Sequence, residues 1–399
     1  MSTDAELNLL IRPLDTLMFR DGRPFNQGDP GASDAVSVFP PFPPTVVGMA
    51  RALLARQMGW NGGPWNERIK AALGDGADWQ SETVKALGPL TFAGAVVCRR
   101  RQDGKSFEPL YPAPRSILVA DKTADKTYVR LVPDAECLAC DLGEVRLPAP
   151  EGKHDGLKEL GRTWMTREGL QTVLAGNAPS QEHCVPEDYL WRREPRVGVG
   201  IDMAGLGSDG LPVSKLAERR PVDGALYAAA HTRLLDNVAL AVCVRTSDPQ
   251  GLSMSGKHLG AAGGEHRMAE FKRLDPGHAP KPPARPTQLK RAGGMVRYVV
   301  YHASPCLISP LPKAGAALDP AVPGSVVSAC LGKALTIGGW DSSQDRRGRP
   351  IPMRPAIPAG SVWFLQAPEA AEADIRHLHG GAIGRARSWG FGQVFIGTW

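Results

Sequence analysis

LNLLIRPLDTLMF, residues Leu7–Phe19, sets Leu7, Leu9 and Ile11 at every second position before Pro13 interrupts the ladder. That is the period of a half-buried strand. TVVGMARALLARQMG (Thr45–Gly59) then changes period. Val46, Met49, Leu53 and Met58 share one helical stripe, with Thr45 as the expected N-cap and Gly59 as the stop. Gly48 sits inside that helix at a cost of about 1 kcal/mol relative to alanine. The close approach of another backbone would account for it.

The same alternation of strands with single helices continues to the end of the chain. Strands are expected at Thr91–Arg99, in part of Leu226–Val244, and at Met295–Ile308, Ser361–Gln366 and Gln393–Thr398. Helical patterns fall near Trp65–Leu73, Asp188–Arg193, Ser325–Leu335 and Pro368–His379. Residues 106–186 read as irregular, Gly198–Gly210 reads as a turn zone, and no fixed-period repeat is visible. Strands and single helices in both halves predict an α+β fold made of two split βαβ units. The expected division is 1–245 and 246–399, with an insertion around 106–186 that would project as a hairpin or thumb.

At 399 residues the chain has room for two modules, and 42% apolar with 22% charged residues is enough to build a core. The 47 basic residues exceed the 41 acidic ones by +6, so clustering matters more than the total. Seven cysteines without a regular framework point to a reducing compartment. Asp4 and Glu6 precede any apolar run, so no secretory signal is expected. Runs such as Val238–Val244 fall short of the ~20 residues of a membrane span. A cytoplasmic protein without membrane association is expected.

The basic charge collects in three places. Lys257–Arg297 holds nine Lys/Arg against Glu265, Glu270 and Asp275; its proline-rich middle, GHAPKPPARPTQLKR, is expected to be an exposed loop. DRRGRPIPMRP holds Arg346, Arg347, Arg349 and Arg354. The tail GGAIGRARSWGFGQVFIGTW (Gly380–Trp399) has six glycines, Arg385 and Arg387, and no acid. Each cluster mixes forked or cationic donors with glycines that let a backbone approach an anion. Solvated loops are one reading of each cluster. Three clusters together, two of them flanking strands, favour a polyanion.

Several apparent catalytic or ligand motifs lack their context. Cys137 and Cys140 form a single CxxC without a second pair; His154, His183 and Cys184 are the remaining zinc candidates, and reduced cysteines are the simpler reading. GLGSDG (Gly205–Gly210) precedes Leu211-Pro212 rather than a helix and reads as a turn. His258 and His266 are the candidate acid–base groups. No cofactor is expected.

In order along the chain, the motifs resemble a known family. FRDGRPF (Phe19–Phe25), SVFPPFPPTVVGMARALL (Ser37–Leu54), EPRVGVGID (Glu194–Asp202), GALYAAAHTRLL (Gly224–Leu235), LGAAGGEHRM (Leu259–Met268), IGGWD (Ile337–Asp341), IPAGSVWFL (Ile357–Leu365) and WGFGQVFIGTW (Trp389–Trp399) are similar to blocks of the third subunit of the type III-B CRISPR RAMP module, the Cmr effector complex. The resemblance implies two ferredoxin-like (RRM-related) RAMP domains. It also implies a non-catalytic subunit that grips the 5′ repeat handle of the crRNA and docks to the large polymerase/cyclase-like subunit and to the backbone RAMP subunit. Carried over residue by residue, the RNA contacts would be Arg20, Arg23, Gly263, Gly264, Arg267, Gly384, Arg385 and Arg387, with Lys257 in the adjoining basic cluster. His266 stands where the family's glycine-glycine-glutamate loop has a further glycine. Trp340, Trp389 and Phe391 are candidate stacking partners for bases, although each is also a candidate core residue. Two other functions compete: a metal-independent endoribonuclease of the same superfamily acting through His258 or His266, and a protein-only interaction module.

Overall fold

The computed structural model describes residues 5–20, 34–76, 78–80, 86–120, 126–140, 143–201, 221–248, 254–341 and 348–399. They form an α+β fold with many strands and few helices. β1 (Ala5–Pro13) forms where the alternation predicts it. Leu7, Leu9 and Ile11 enter the main core and Leu10 enters a small cluster on the opposite face. α1 (Pro43–Gln57) buries Val46, Met49 and Leu53 on the main core. Thr45 is not its cap. Phe42 is the N-cap, and Pro43 and Pro44 form the first turn, where a missing N–H costs nothing and the fixed φ suits the helix. α2 (Glu67–Leu73) follows, capped by Asn66.

β2 (Val96–Arg100), β3 (Phe107–Pro112), β4 (Thr163–Thr166) and α3 (Arg167–Leu174) come next. A long two-stranded ribbon, β5 (Trp191–Ile201) and β6 (Pro221–Leu234), leads to β7 (Val238–Thr246), β8 (Lys257–Ala261) and β9 (Met268–Leu274). The first sheet runs Cys184–Pro186, β4, β3, β2, β7, β1, β9, β8, with Leu90–Phe92 also paired to β7. β1 lies between β7 and β9, antiparallel to both, with Leu9 opposite Val242 on one side and Arg273 on the other. Residues 257–274 therefore complete the first sheet, beyond the division expected at Arg245.

The second sheet is built from β10 (Met295–His302), β11 (Ser325–Cys330), β14 (Val362–Pro368) and β15 (Val394–Thr398), with Lys290–Ala292 on its edge. The hairpin β12 (Leu335–Asp341) and β13 (Arg349–Ala356) lies between β11 and β14 in the chain, and α4 (Glu372–His377) precedes β15. β10 is central, with Val300 opposite Trp363 of β14 and Ile396 of β15. In chain order, the four strands β1, β2, β7, β9 and the four strands β10, β11, β14, β15 each assemble in the spatial order fourth, first, third, second, antiparallel throughout.

Three expectations fail for identifiable reasons. Ser325–Cys330 is a strand, not a helix: Val326 and Val327 are buried on opposite faces, and a short apolar run covered on both sides has no diagnostic period. Glu187–Tyr189 is one 3-10 turn that gives way to β5. The described residues within 106–186 form regular strands and a helix rather than irregular loops. β3 and β4 extend the first sheet, and a separate four-stranded sheet pairs Pro148–Pro150, Thr127–Pro133, Ile117–Ala120 and Leu157–Glu159. Gly198 lies within β5, whereas Gly205–Gly210 lie outside the described residues. The proline-rich basic segment is a mostly exposed loop, as expected, but it is pinned at intervals. Pro283, Pro286 and Leu289 are buried at the three-residue period of a polyproline helix, and Arg376 donates to the Pro286 and Thr287 carbonyls at 3.1 and 2.7 Å.

α3 joins the two sheets. Leu170 and Leu174 pack with Val299, Tyr301, Phe364, Phe395 and Trp399 of the second sheet. A Cβ on Gly397 would stand 2.9 Å from the Leu174 carbonyl oxygen, so glycine lets the helix lie against β15. Gly397→Ala is expected to destabilise the protein by about 1–3 kcal/mol. Urea denaturation measures this, and an unchanged midpoint would contradict the packing.

Candidate nucleic-acid interface

The tail that follows α4 does not end on the surface. Trp389 and Phe391 are buried in the first core, with Phe391 5.1 Å from Trp79 between ring centroids. Several of its glycines serve this re-entry. Gly392 has φ +70, and a Cβ there would lie 1.9 Å from the Ile383 carbonyl oxygen. Gly384 has φ +77; its N–H donates to Asp319 Oδ2 at 2.9 Å, and a Cβ would lie 2.8 Å from the Leu307 oxygen. Ala386, at φ +54, turns the chain between Arg385 and Arg387, and both arginines are exposed.

These two arginines open onto a groove of about 760 Å³ between the tail and residues 86–94, where Arg245 joins them. Among the described residues, no Asp or Glu lines it. Arg245 also contacts Glu6 at 3.2 Å, with both side chains about half exposed. Trp79 and Trp389 line this groove and also a second one of about 850 Å³ beside α1, which Arg20 lines. Arg51 of α1 shapes the second groove. Its buried guanidinium donates to the carbonyls of Leu73 at 2.9 Å, Gly74 at 2.8 Å and Gly76 at 2.6 Å. Burial lowers its pKa to about 10, opposed by the Asp75 charge.

The glycine loop between β8 and β9 stands near the Pro13 end of β1, whereas Arg245 pairs with β1 at Glu6. At ~3.4 Å per residue, the two ends are separated by roughly 24 Å. Gly263 has φ +93 and a Cβ there would meet the Met18 oxygen at 2.5 Å; Gly264 N–H donates to that same oxygen at 2.8 Å. Glu265 and His266 take φ +53 and +54, so the histidine holds a glycine-like backbone. Arg267 bonds Asp15 Oδ2 at 3.0 Å, and Arg196 and Arg233 each reach Asp15 at 2.8 Å. Glu194 holds the latter two arginines from the other side.

A scan against protein-family models matches residues 9–399 to Cas_Cmr3, described as a CRISPR-associated protein. The chain belongs to the Cas_Cmr3 family. The resemblance to the third subunit of the type III-B Cmr module is thereby borne out over nearly the whole chain. No curated protein matches. Among solved structures, a type III-B Cmr-beta complex bound to cognate target RNA and AMPPnP contains a chain 16% identical, with a TM-score of 0.46, covering 90% of this chain and 86% of that one. The Cmr-beta complex bound to cognate target RNA alone gives 17% identity and a TM-score of 0.44 at the same coverage.

Against this family background, the expected contact residues divide. Arg385 and Arg387 come together with Arg245, which no sequence motif marks. Arg20 lines the neighbouring groove, and Arg23 lies outside the described residues. Lys257 pairs with Glu270 at 3.0 Å, and Arg267 is held by Asp15. In the second basic cluster, Arg349 contacts Asp341 and Arg354 contacts Gln80, each at 3.2 Å; Arg346 and Arg347 lie outside the described residues. Trp389 and Phe391 are core residues, whereas Trp340 is 59% exposed. His258 uses both ring nitrogens, Nδ1 with Gln57 at 3.1 Å and Nε2 with the Ser255 carbonyl at 2.6 Å. Cys137 is exposed, and no group of three His, Cys, Asp or Glu able to hold a metal occurs among the described residues. No described helix is long and apolar enough to cross a membrane.

The charge network around the glycine loop has a pH signature. The Arg196 hydrogen bond, reinforced by Arg233, holds the Asp15 pKa near 2, and Arg233 with Arg196 does the same for Glu194. A depressed carboxylate stabilises the fold above its ordinary pKa near 4 and loses that contribution as pH falls through its folded value. The stability of Asp15→Asn should therefore lie below wild type at neutral pH and converge with it between about pH 4 and 2. Because these side chains are partly exposed, the difference should also shrink in high salt. Thermal melts across pH read both effects. A second test concerns Arg51→Met, which strands three carbonyls and should cost about 3 kcal/mol.

Proposed function

We propose that the chain is a non-catalytic subunit of a type III-B effector complex that grips the 5′ repeat handle of the crRNA and bridges the large polymerase/cyclase-like subunit to the backbone RAMP subunit. The proposal places it in the cytoplasm. The observation that carries the RNA reading is the groove lined by Arg245, Arg385 and Arg387, with no Asp or Glu among its described lining residues. Arginine forks bind phosphate oxygens, and the re-entry of the next residues into the core holds the loop of Arg385 and Arg387 in place. Arg20 extends this surface into the adjoining groove. Gly263, Gly264 and Gly384 act indirectly, by letting their loops take the required turns, and Lys257 and Arg267, each already paired with a carboxylate, are secondary to the groove.

Two ferredoxin-like units are the fold reading that goes with this function. The repeated strand order fourth–first–third–second supports it: the first unit retains the first helix of the βαββαβ pattern as α1, and the second retains the second helix as α4. The first unit would run to Leu274, with its insertion lying between β2 and β7. The endoribonuclease alternative gains no support from His258, whose ring is engaged on both sides.

Arg385→Glu together with Arg387→Glu should weaken binding of the repeat-handle RNA at least tenfold. It should also flatten the salt dependence, which for three phosphate contacts to a single strand has a slope of about −2 in log K against log salt. Filter binding or fluorescence anisotropy measures both. Affinity within twofold of wild type would remove the groove from the RNA path.

A further inference from the structure

The turn that carries Arg385 and Arg387 hangs on three consecutive backbone donors. Ile383 N–H donates to the Gly392 carbonyl at 3.0 Å, Gly384 N–H to Asp319 Oδ2 at 2.9 Å, and Arg385 N–H to the Leu307 carbonyl at 3.1 Å. Two of these acceptors are main chain. Asp319 is the only side chain among them, so residue identity at that position decides whether the middle bond exists.

Asp319 comes from the loop between β10 and β11, and its own position is fixed. Leu318 and Val322 on either side are buried in the second core, and Val322 N–H donates to the Asp319 carbonyl at 2.9 Å. One carboxylate oxygen, Oδ1, accepts the Ala321 N–H at 2.9 Å, the local turn that aspartate favours. The other oxygen is left for Gly384. Behind Gly384 the space is closed: a Cβ there would stand 3.0 Å from Cys306 Sγ. The Cys306 thiol donates to the Ile383 carbonyl at 3.6 Å. Burial, with the Asp319 charge adding to it, pushes that thiol's pKa up to about 12, so it remains a donor. Gly384 and Arg385 line the arginine groove, and Asp319 is not among its described lining residues.

A carboxylate close to a polyanion site weakens binding through like-charge repulsion, so an acid behind this turn calls for a compensating role. We propose that Asp319 is a positioning residue of the RNA groove: its Oδ2 fixes Gly384, which holds Arg385 and Arg387 at the groove before RNA arrives. The inference rests on the proposed function and adds to it a residue that acts only through its neighbours. A hydrogen bond to a charged acceptor is stronger than a neutral one, and a turn held in advance has less freedom to lose when its arginines meet phosphate.

The test is Asp319→Ala in the full-length chain, with a single-stranded repeat RNA of about ten nucleotides as the probe. Removing a carboxylate makes the protein more positive, so electrostatics alone predicts tighter binding. Positioning predicts the opposite sign: affinity should fall about fivefold, because two arginine side chains must then be ordered on binding. In the Arg385→Glu/Arg387→Glu background the same substitution should change affinity by less than about twofold, since the residues it positions are gone. Asp319→Asn keeps the shape and one acceptor oxygen; if the alanine variant does not fold, the asparagine variant is read by the same two comparisons and should also bind more weakly than wild type. Binding as tight as wild type, or tighter, overturns the proposal. The groove reading survives that result if the double arginine variant still loses binding, and falls with it if that variant does not. A loss of equal size in both backgrounds makes Asp319 a residue of the fold alone and also overturns the proposal.

Discussion

The burial of Trp389 and Phe391 against Trp79 is the contact on which the rest of the molecule depends. Those side chains leave the layer of the second sheet and enter the first core, and burying each contributes about 3 kcal/mol. The tail is held by backbone as well. Phe92 N–H donates to the Ser388 carbonyl at 2.8 Å, and Gly392 N–H to the Pro305 carbonyl at 2.7 Å. Arg385 and Arg387 stand just outside this anchor, so their loop is ordered before any ligand arrives. Preorganised donors lose less entropy on binding than the same arginines on a free chain end. Removing the anchor would also unmake both grooves, since Trp79 and Trp389 line each of them.

The tail shows that one composition can have two physical explanations. Six glycines among twenty residues fit a loop that cradles RNA and equally fit a chain that must pass close to itself. The contacts decide for self-passage at Gly384, Gly390, Gly392 and Gly397, where an added Cβ would stand within about 3 Å of another backbone oxygen. Among the described residues, only Gly48 combines an unfavourable helical position with open space.

Much of the architecture was legible because it follows local period. β1 and α1 bury the residues that their alternation and stripe indicate, and β15 forms at the expected end of the chain. The family blocks were legible too, since their order along the chain is information that no single motif carries. Long-range pairing was not. Ser325–Cys330 is covered on both faces, and 106–186 is built from short strands whose partners lie far apart in sequence, as with Trp164 of β4 opposite Pro112 of β3. Arg245 reads as an ordinary residue at a strand end, and only the fold brings it beside Arg385. Trp60 and Trp65 flank NGGP, a turn signal, so nothing in their spacing marks the groove they both line.

Net charge is a poor guide to where a polyanion would sit on this chain. Around the glycine loop, Arg196, Arg233 and Arg267 meet Asp15, Glu194 and Glu265 within bonding or ion-pair distance, which cancels three charges against three. The arginine groove has three basic side chains and, among its described lining residues, no acid, with Glu6 pairing Arg245 from outside it. At physiological salt the Debye length is about 8 Å, well short of the length of β1, so the carboxylates of the network cannot offset the groove from the far end of the strand. A modest excess of +6 therefore coexists with basic side chains gathered in one groove. The loop richest in family motif residues thus has its arginines matched by carboxylates, whereas the arginines beside the buried tail stand in a groove whose described lining holds no acid.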